Sequence, residues 1–207
     1  IILVQGHYDL TYNRAIPDSE RVYLMTLPSL GGSGLKQQSF LARPVAEMGL
    51  ADNPYVETYG VAALDDVNKV NVIVGEGTAA KTHSVTFAQM TSGALKTFGI
   101  QAVMGSFEEI GEGGYVAISE TAAERLGVAV DSVLQLESWG KTNYFVVRAI
   151  YNDLPVASDL KNIEVIRCNQ LEEQDLNSTS NWSYNYYVKL RSTDDKPLCE
   201  EVISKKY

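Results

Sequence analysis

The period of the hydrophobic and polar positions changes several times along the chain, and each change marks a predicted element. Residues 21–27 alternate in part and are rich in strand formers. Pro28 is expected to end that strand, with Gly31-Gly32-Ser33-Gly34 as a loop behind it. Over residues 36–48 the spacing turns helical, with Phe40, Leu41, Val45 and Met48 near one face. Pro44 inside this pattern predicts a kink or two short pieces. Asn53-Pro54 makes a turn, and residues 55–61 and 69–74 read as strands. Residues 85–87 form a short strand. Ser92 can then cap a short helix carrying Leu95 and Phe98 on one face, and Gly99 can end it in the left-handed conformation.

Further on, the apolar run 116–118 leads into Ser119. Residues 121–124 fit a capping box, Leu126 faces the core and Gly127 stops the helix. Residues 132–138 and 143–151 form a hairpin turned by Trp139-Gly140-Lys141. Residues 163–166 read as a strand and 172–181 as a loop or helix end. Trp182, Tyr184, Tyr186, Val188 and Leu190 alternate with polar positions, which predicts a half-buried strand with its first three aromatics on one face. Asp195 can cap a final helix with Pro197 in its first turn and Leu198, Val202 and Ile203 inward. The order predicts an α+β chain of two lobes. One is built from residues 1–80 plus 160–207, and a strand-rich lobe is inserted over 81–159.

Composition narrows the class without naming an activity. With 207 residues, 45% hydrophobic and 21% charged, the chain is an ordinary globular one. Its net charge of −9 argues against nucleic acid and against anionic lipid headgroups as partners. No apolar run reaches bilayer-spanning length. The chain opens on Ile1-Ile2-Leu3-Val4, which reads equally as a first strand or as the start of a fragment cut just past a membrane helix. Cys168 and Cys199 lack metal spacing; two free, buried thiols are expected, with a disulfide between them in an oxidising compartment as the alternative.

Candidate chemistry is sparse. Gly75-Glu76-Gly77 with Ala80 follows a strand in the form of a dinucleotide-binding turn. Strand-like residues follow it where a helix is required, and no acidic residue stands at ribose distance, so a glycine turn is the better reading. His7 and His83 lie far apart and lack further ligands nearby. Ser29 and Ser33 sit in no nucleophile or phosphate-loop spacing. Glu108, Glu109 and Glu112 lack the order of a calcium loop. Asn177 and Asn181 head glycosylation sequons. Trp182, Tyr184, Tyr186 and Tyr187 read first as core aromatics. Trp182, Tyr184 and Tyr187 are the candidate partner or ligand contacts. No catalytic residue, cofactor or metal site is expected, and the chain does not read as an enzyme.

Five pieces carry a resemblance. They are residues 13–23; Pro44-Val45 followed by Asn53-Pro54-Tyr55-Val56-Glu57; residues 87–105 with Phe98-Gly99-Ile100; residues 116–127 with Ser119-Glu120, Ala123 and Leu126-Gly127; and residues 145–155 ending in Asp153-Leu154-Pro155. In this order they resemble the MacB-like periplasmic core domain of FtsX-like ABC transporter permeases. Many relatives follow the Leu-Gly with a Pro-Ile-Gly-like turn, where this chain has Val128-Ala129-Val130-Asp131. The resemblance implies a porter-like α/β lobe with an inserted β-rich lobe, on the periplasmic side of the inner membrane between two membrane helices. It implies a cytoplasmic ATPase, a second permease subunit and a periplasmic adaptor or substrate as partners, with movement as the output. The rival expectation is a secreted or lipid-anchored ligand-binding module.

Overall fold

A computed structural model describes residues 2–4, 15–31, 34–64, 67–75, 77–108, 114–138, 141–168, 171 and 173–206. The fold is α+β, and the chain divides into two compact units. The first comprises Ile1–Ala62, Gly93–Gly99 and Leu171–Tyr207, and the second Ala63–Ser92 and Ile100–Gln170. These bounds differ from the lobes expected at 1–80 plus 160–207 and 81–159. Residues 63–80 and 160–170 fall in the second unit, and the short helix 93–99 falls in the first.

The first unit is an open antiparallel sheet. Its strands are β1 (Ile2–Val4), β2 (Val22–Gly31), β3 (Gly34–Gln38), β4 (Phe40–Ala42), β5 (Val56–Val61) and, far along the chain, β13 (Trp182–Leu190). β13 is the hub and pairs with β2, β4 and β5. Residues 2–4 are a strand against 24–26, as one reading of the opening residues expects. Helices α1 (Arg43–Leu50) and α4 (Lys196–Lys205) cover one face. There Met25, Leu41, Leu50, Tyr186, Val188, Leu190 and Ile203 form the core.

Two expectations fail in this unit. β2 does not stop at Pro28 but runs on, with Pro28 opposite Gln37 of β3. The proline is tolerated because β1 reaches only to Thr26, so beyond it no described strand needs its missing N–H on that side. Residues 36–48 are not one helix either. β3 and β4 occupy the first part, and α1 begins at Arg43 with Pro44 in its first turn. A fixed φ and an absent N–H cost nothing there, so the proline starts the helix instead of kinking it. Gly32 and Ser33 lie outside the described residues.

α4 also turns differently from the prediction. Cys199 and Ile203 face inward, while Leu198 is exposed. Asp195 precedes the helix without capping it by its side chain. Its carboxylate instead accepts from the Ser192 N–H in a capping box around a preceding 3-10 turn. Helix α2 (Ser92–Thr97) explains why residues 93–99 join this unit. A Cβ at Gly93 would lie 2.1 Å from the Tyr59 carbonyl oxygen of β5, so α2 sits on that strand at backbone contact. Thr58 and Thr97 share a hydrogen bond at 3.0 Å, and the Phe98 ring packs 5.0 Å from Tyr187.

The second unit contains β6 (Asn68–Val74), β7 (Lys81–Met90), β8 (Ala102–Gly105), β9 (Tyr115–Ser119), β10 (Val133–Ser138), β11 (Lys141–Tyr151) and β12 (Val165–Cys168). The strands run β10-β6-β7-β12-β9-β11, and β11 pairs back onto β10, which closes a barrel. β8 pairs with the end of β11, beyond the stretch that β10 takes. The β7–β12 and β9–β11 pairs are parallel. Alternate residues point inward and fill the barrel. Val72, Val85, Val116, Ile118, Leu134, Leu136, Phe145, Val147 and Val165 belong to its core.

Helix α3 (Glu120–Leu126) follows β9 directly and adds Ala122, Ala123 and Leu126 to that core. Its cap is Ser119, whose hydroxyl accepts from the Ala122 N–H, not the expected box at 121–124. Thr121 instead bonds the Asp153 carboxylate through both its N–H and its hydroxyl. Gly127 ends the helix at φ 67°, as expected. The glycine turn at 75–77 leads through a 3-10 turn straight into β7, with Val74 opposite Lys81. A hairpin stands where a dinucleotide site needs a helix.

Candidate functional site

The predicted contact residues lie on β13, and the structure separates them. A β-bulge falls between Trp182 and Tyr184, so that Trp182 pairs with Ala42 while Tyr184 pairs with Leu41. Adjacent residues of β4 point to opposite faces, and the bulge therefore moves Trp182 off the face of Tyr184 and Tyr186. The expectation of three aromatics on one face fails for that reason. Nor is the strand half-buried. Tyr186, Val188 and Leu190 are buried on one face, and Asn185 and Lys189 are buried on the other.

Each aromatic has its own support. Trp182 is 40% exposed, and its indole N–H donates to the Thr179 carbonyl at 2.6 Å, which holds the ring in place. Tyr184 is half-buried. Its hydroxyl donates to the buried Asp175 carboxylate, which also accepts from Asn181 Nδ2 at 2.9 Å. Tyr186 is buried in the core, with its hydroxyl 3.3 Å from Glu47 Oε1, and Glu47 pairs with Arg43 at 2.8 Å. Burial, with the Glu47 charge beside it, pushes the Tyr186 phenol far above its ordinary range. Tyr187 is half-buried on the same face as Lys189, against Phe98. Trp182 therefore presents the open apolar surface of the set, and Tyr184 and Tyr187 are largely absorbed by packing.

Next to this strand lies a cluster that no motif announced. Lys189 Nζ is 2.8 Å from Asp18 Oδ2 and 3.6 Å from Glu57 Oε1. Arg21 bridges the same carboxylates, at 2.7 Å to Asp18 and 2.5 Å to Glu57, and also donates to the Leu190 and Arg191 carbonyls. The Lys189 ammonium, then the Arg21 guanidinium, hold the Asp18 carboxyl below its ordinary range. Burial pushes Glu57 up, but Arg21 and Lys189 outweigh it and leave Glu57 lowered. The one hint in the sequence is a lysine set between Val188 and Leu190 in an aromatic-rich strand.

The remaining candidates are structural or undescribed. His83 stands on β7 opposite Val72, and His7 lies outside the described residues. Among the described residues no three His, Cys, Asp or Glu side chains gather as metal ligands. Cys168 and Cys199 are free and buried, as expected, and burial pushes both thiols up to about 11. Glu108 is exposed, while Glu109, Glu112 and Ser33 lie outside the described residues. Asn177 is exposed at the end of a 3-10 turn, and Asn181 is engaged by Asp175.

No protein-family model matches the chain, and no curated protein matches it. Solved structures do. One is a domain of a Porphyromonas gingivalis protein described as a permease, at TM-score 0.65 and 18% identity, covering 91% of this chain and 85% of that one. Another is the extracellular domain of the noncanonic ABC-type transporter YknZ from Gram-positive bacteria. Its TM-score is 0.54 at 15% identity, with 88% of this chain and 89% of that one covered. In its described residues, this chain has the α+β fold of these permease and transporter domains.

Proposed function

We propose that the chain is the extracytoplasmic domain of an ABC-type transporter permease of the MacB-like, FtsX-like kind. A cytoplasmic ATPase acts on it through membrane helices, and a second permease subunit completes the transporter. The domain passes the resulting motion to a substrate or partner outside the membrane, for export or for mechanical transmission. The observation that carries this reading is that the likeness to transporter and permease domains extends over nearly the whole of both chains and so takes in both units. In this reading the first unit is the porter-like lobe and the second is the inserted β-rich lobe. Trp182 is the contact for the outside partner, because a rigid, partly open indole anchors an interface at low entropic cost.

The test uses the full-length protein in its own membrane. A cysteine placed at Ser180, which is exposed, should react with a membrane-impermeant maleimide from outside intact cells. The protein should co-purify with an ATPase, and trapping that ATPase in its ATP-bound state should change the exchange protection of this domain. Labelling that requires cell lysis, or a protein extracted by alkaline carbonate without detergent, would overturn the reading. The second of these outcomes would favour a secreted binding module, for which the open Trp182 ring is the supporting observation.

A further inference from the structure

Six arginines lie among the described residues, and five of them end on oxygen. Arg21, Arg43, Arg125 and Arg148 pair with carboxylates, and Arg191 donates to the Pro54 carbonyl. Arg167 does not. Its guanidinium carbon lies 5.4 Å from the centroid of the Phe145 ring, and its Nε is buried without a hydrogen-bond acceptor among the described residues. The chain has 26 acidic against 17 basic side chains, so an arginine with no ion pair among the described residues runs against its own composition. A half-buried cation lacking an anion is costly, and a cation–π contact offsets part of that cost.

The position gives this arginine a purpose. Val165 points into the barrel, and Arg167 is the next inward position along β12, at the end where β7 and β12 finish and β6 begins. Gln89 of β7 is its register partner. One row further in, Asn68 of β6 stands opposite Phe87, which packs on the barrel core. Asn143 lies two residues before Phe145 on the same face of β11, opposite Leu136. One end of the barrel therefore carries the Arg167 guanidinium over the Phe145 ring, with the exposed carboxamides of Asn68, Gln89 and Asn143 on inward-facing rows around it.

We infer that this end of the barrel is a carboxylate-binding site, with Arg167 as its charged contact. The planar fork of a guanidinium matches a carboxylate, and the carboxamides can donate to its second oxygen. Phe145 and Phe87 form an apolar floor for the stem that carries it. A single cation in a chain of net charge −9 suits a monoanion better than a phosphate dianion. The carboxylate can come from an acidic peptide side chain or from a small free acid. The inference uses the second unit alone and does not depend on the transporter reading.

The test follows the Arg167 Nε–H resonance in nitrogen-15 spectra of the intact chain. Two probes are titrated, sodium acetate and a blocked short peptide with one central glutamate. The same peptide with glutamine serves as the control. The resonance should move saturably with a carboxylate probe and not with the glutamine peptide. Binding followed on the neighbouring amides should weaken about tenfold or more in Arg167→Gln. Saturation by the glutamate peptide alone assigns the source to a protein segment, and equal saturation by acetate assigns it to a small acid. Should Arg167→Gln fail to fold, Arg167→Lys keeps the charge but not the fork, and it should bind several-fold more weakly. An Nε–H that does not move in the millimolar range, a shift produced equally by the glutamine peptide, or undiminished binding in Arg167→Gln or Arg167→Lys would overturn the site.

Discussion

The two units handle unpaired strand edges and polar rows in opposite ways. In the second, β11 pairs back onto β10, so six strands close on themselves and an alternating apolar row fills the inside. The first stays open. Its hub strand arrives from the far end of the sequence, α2 sits at backbone contact on β5, and both faces of β13 are buried. Its polar row is neutralised rather than solvated, with Lys189 held by Asp18 across 171 residues and Arg21 by Glu57 across 36. Both units rest on pairings between distant segments, β6 with β10 and β7 with β12 in the barrel and β13 with β2 in the sheet, but only the barrel satisfies its edges by closure. In either unit the loop-closure entropy of such contacts is large.

The strongest way to break the comparison is at the two glycines where backbones touch. Gly105 has φ 74°, and a Cβ there would meet the Arg148 carbonyl oxygen at 2.0 Å. Gly105→Ala should destabilise the second unit by on the order of 4 kcal/mol. Gly93→Ala should do comparable damage to the first. Hydrogen exchange should localise the loss to β8, β9 and β11 in one variant and to α2 and β5 in the other. Equal loosening of both units by either variant would mean that they do not unfold as separate cooperative bodies.

Next in size is the barrel interior. Leu134 is buried and belongs to the core row, so Leu134→Ala should cost about 3 kcal/mol in urea unfolding. A value near the ~0.5 kcal/mol of a surface change would show that the barrel is not packed as described.

The ion cluster sharpens the contrast through pH. Asp18 and Glu57 titrate below their ordinary values of 3.8 and 4.5 when folded. Their contribution is therefore present above those values and lost as pH falls through the lowered ones. Acidification below about pH 4.5 should loosen the first unit in proportion to these two groups. Lys189→Met, which leaves only Arg21 on them, should flatten that dependence. An unchanged acid limb would remove the cluster from the account.

The smallest effect is expected at the cap of α3. Ser119→Ala should cost about 1 kcal/mol, because the Ala122 N–H loses its acceptor. Thr121→Val should leave that cap intact while removing only the hydroxyl bond to Asp153. Equal losses in the two variants would contradict the assignment of Ser119 as the cap.

Legibility followed the same division. The strand at 116–118 running into a helix stopped by Gly127, the hairpin across 139–140 and the helix carrying Leu95 and Phe98 all stand where local periodicity puts them. The misreadings concentrate in the first unit. Over 36–48 the apolar spacing fits a helix, but pairing with β2 and β13 overrides it up to Ala42. Trp182 and Tyr184 are two apart and read as one face, yet a single extra residue in the ladder reverses that. The candidate contacts were legible as residues but not as a surface. Arg167 and the Asp18–Arg21–Glu57–Lys189 cluster matched no motif, because their partners are not neighbours in sequence.

By itself, the sequence determined the α+β character, most strand and helix positions in the barrel unit and the glycine turn that leads into a strand. These depend on side-chain period, capping and backbone permissiveness, which act over a few residues. Only the tertiary structure decided which strand became the hub, where the two units divide, how the bulge turns Trp182 outward and which arginine has no acidic partner among the described residues. Those outcomes depend on pairings between distant segments. The free energy of such a pairing belongs to the closed ladder or the buried cluster as a whole, and no single stretch of sequence carries it.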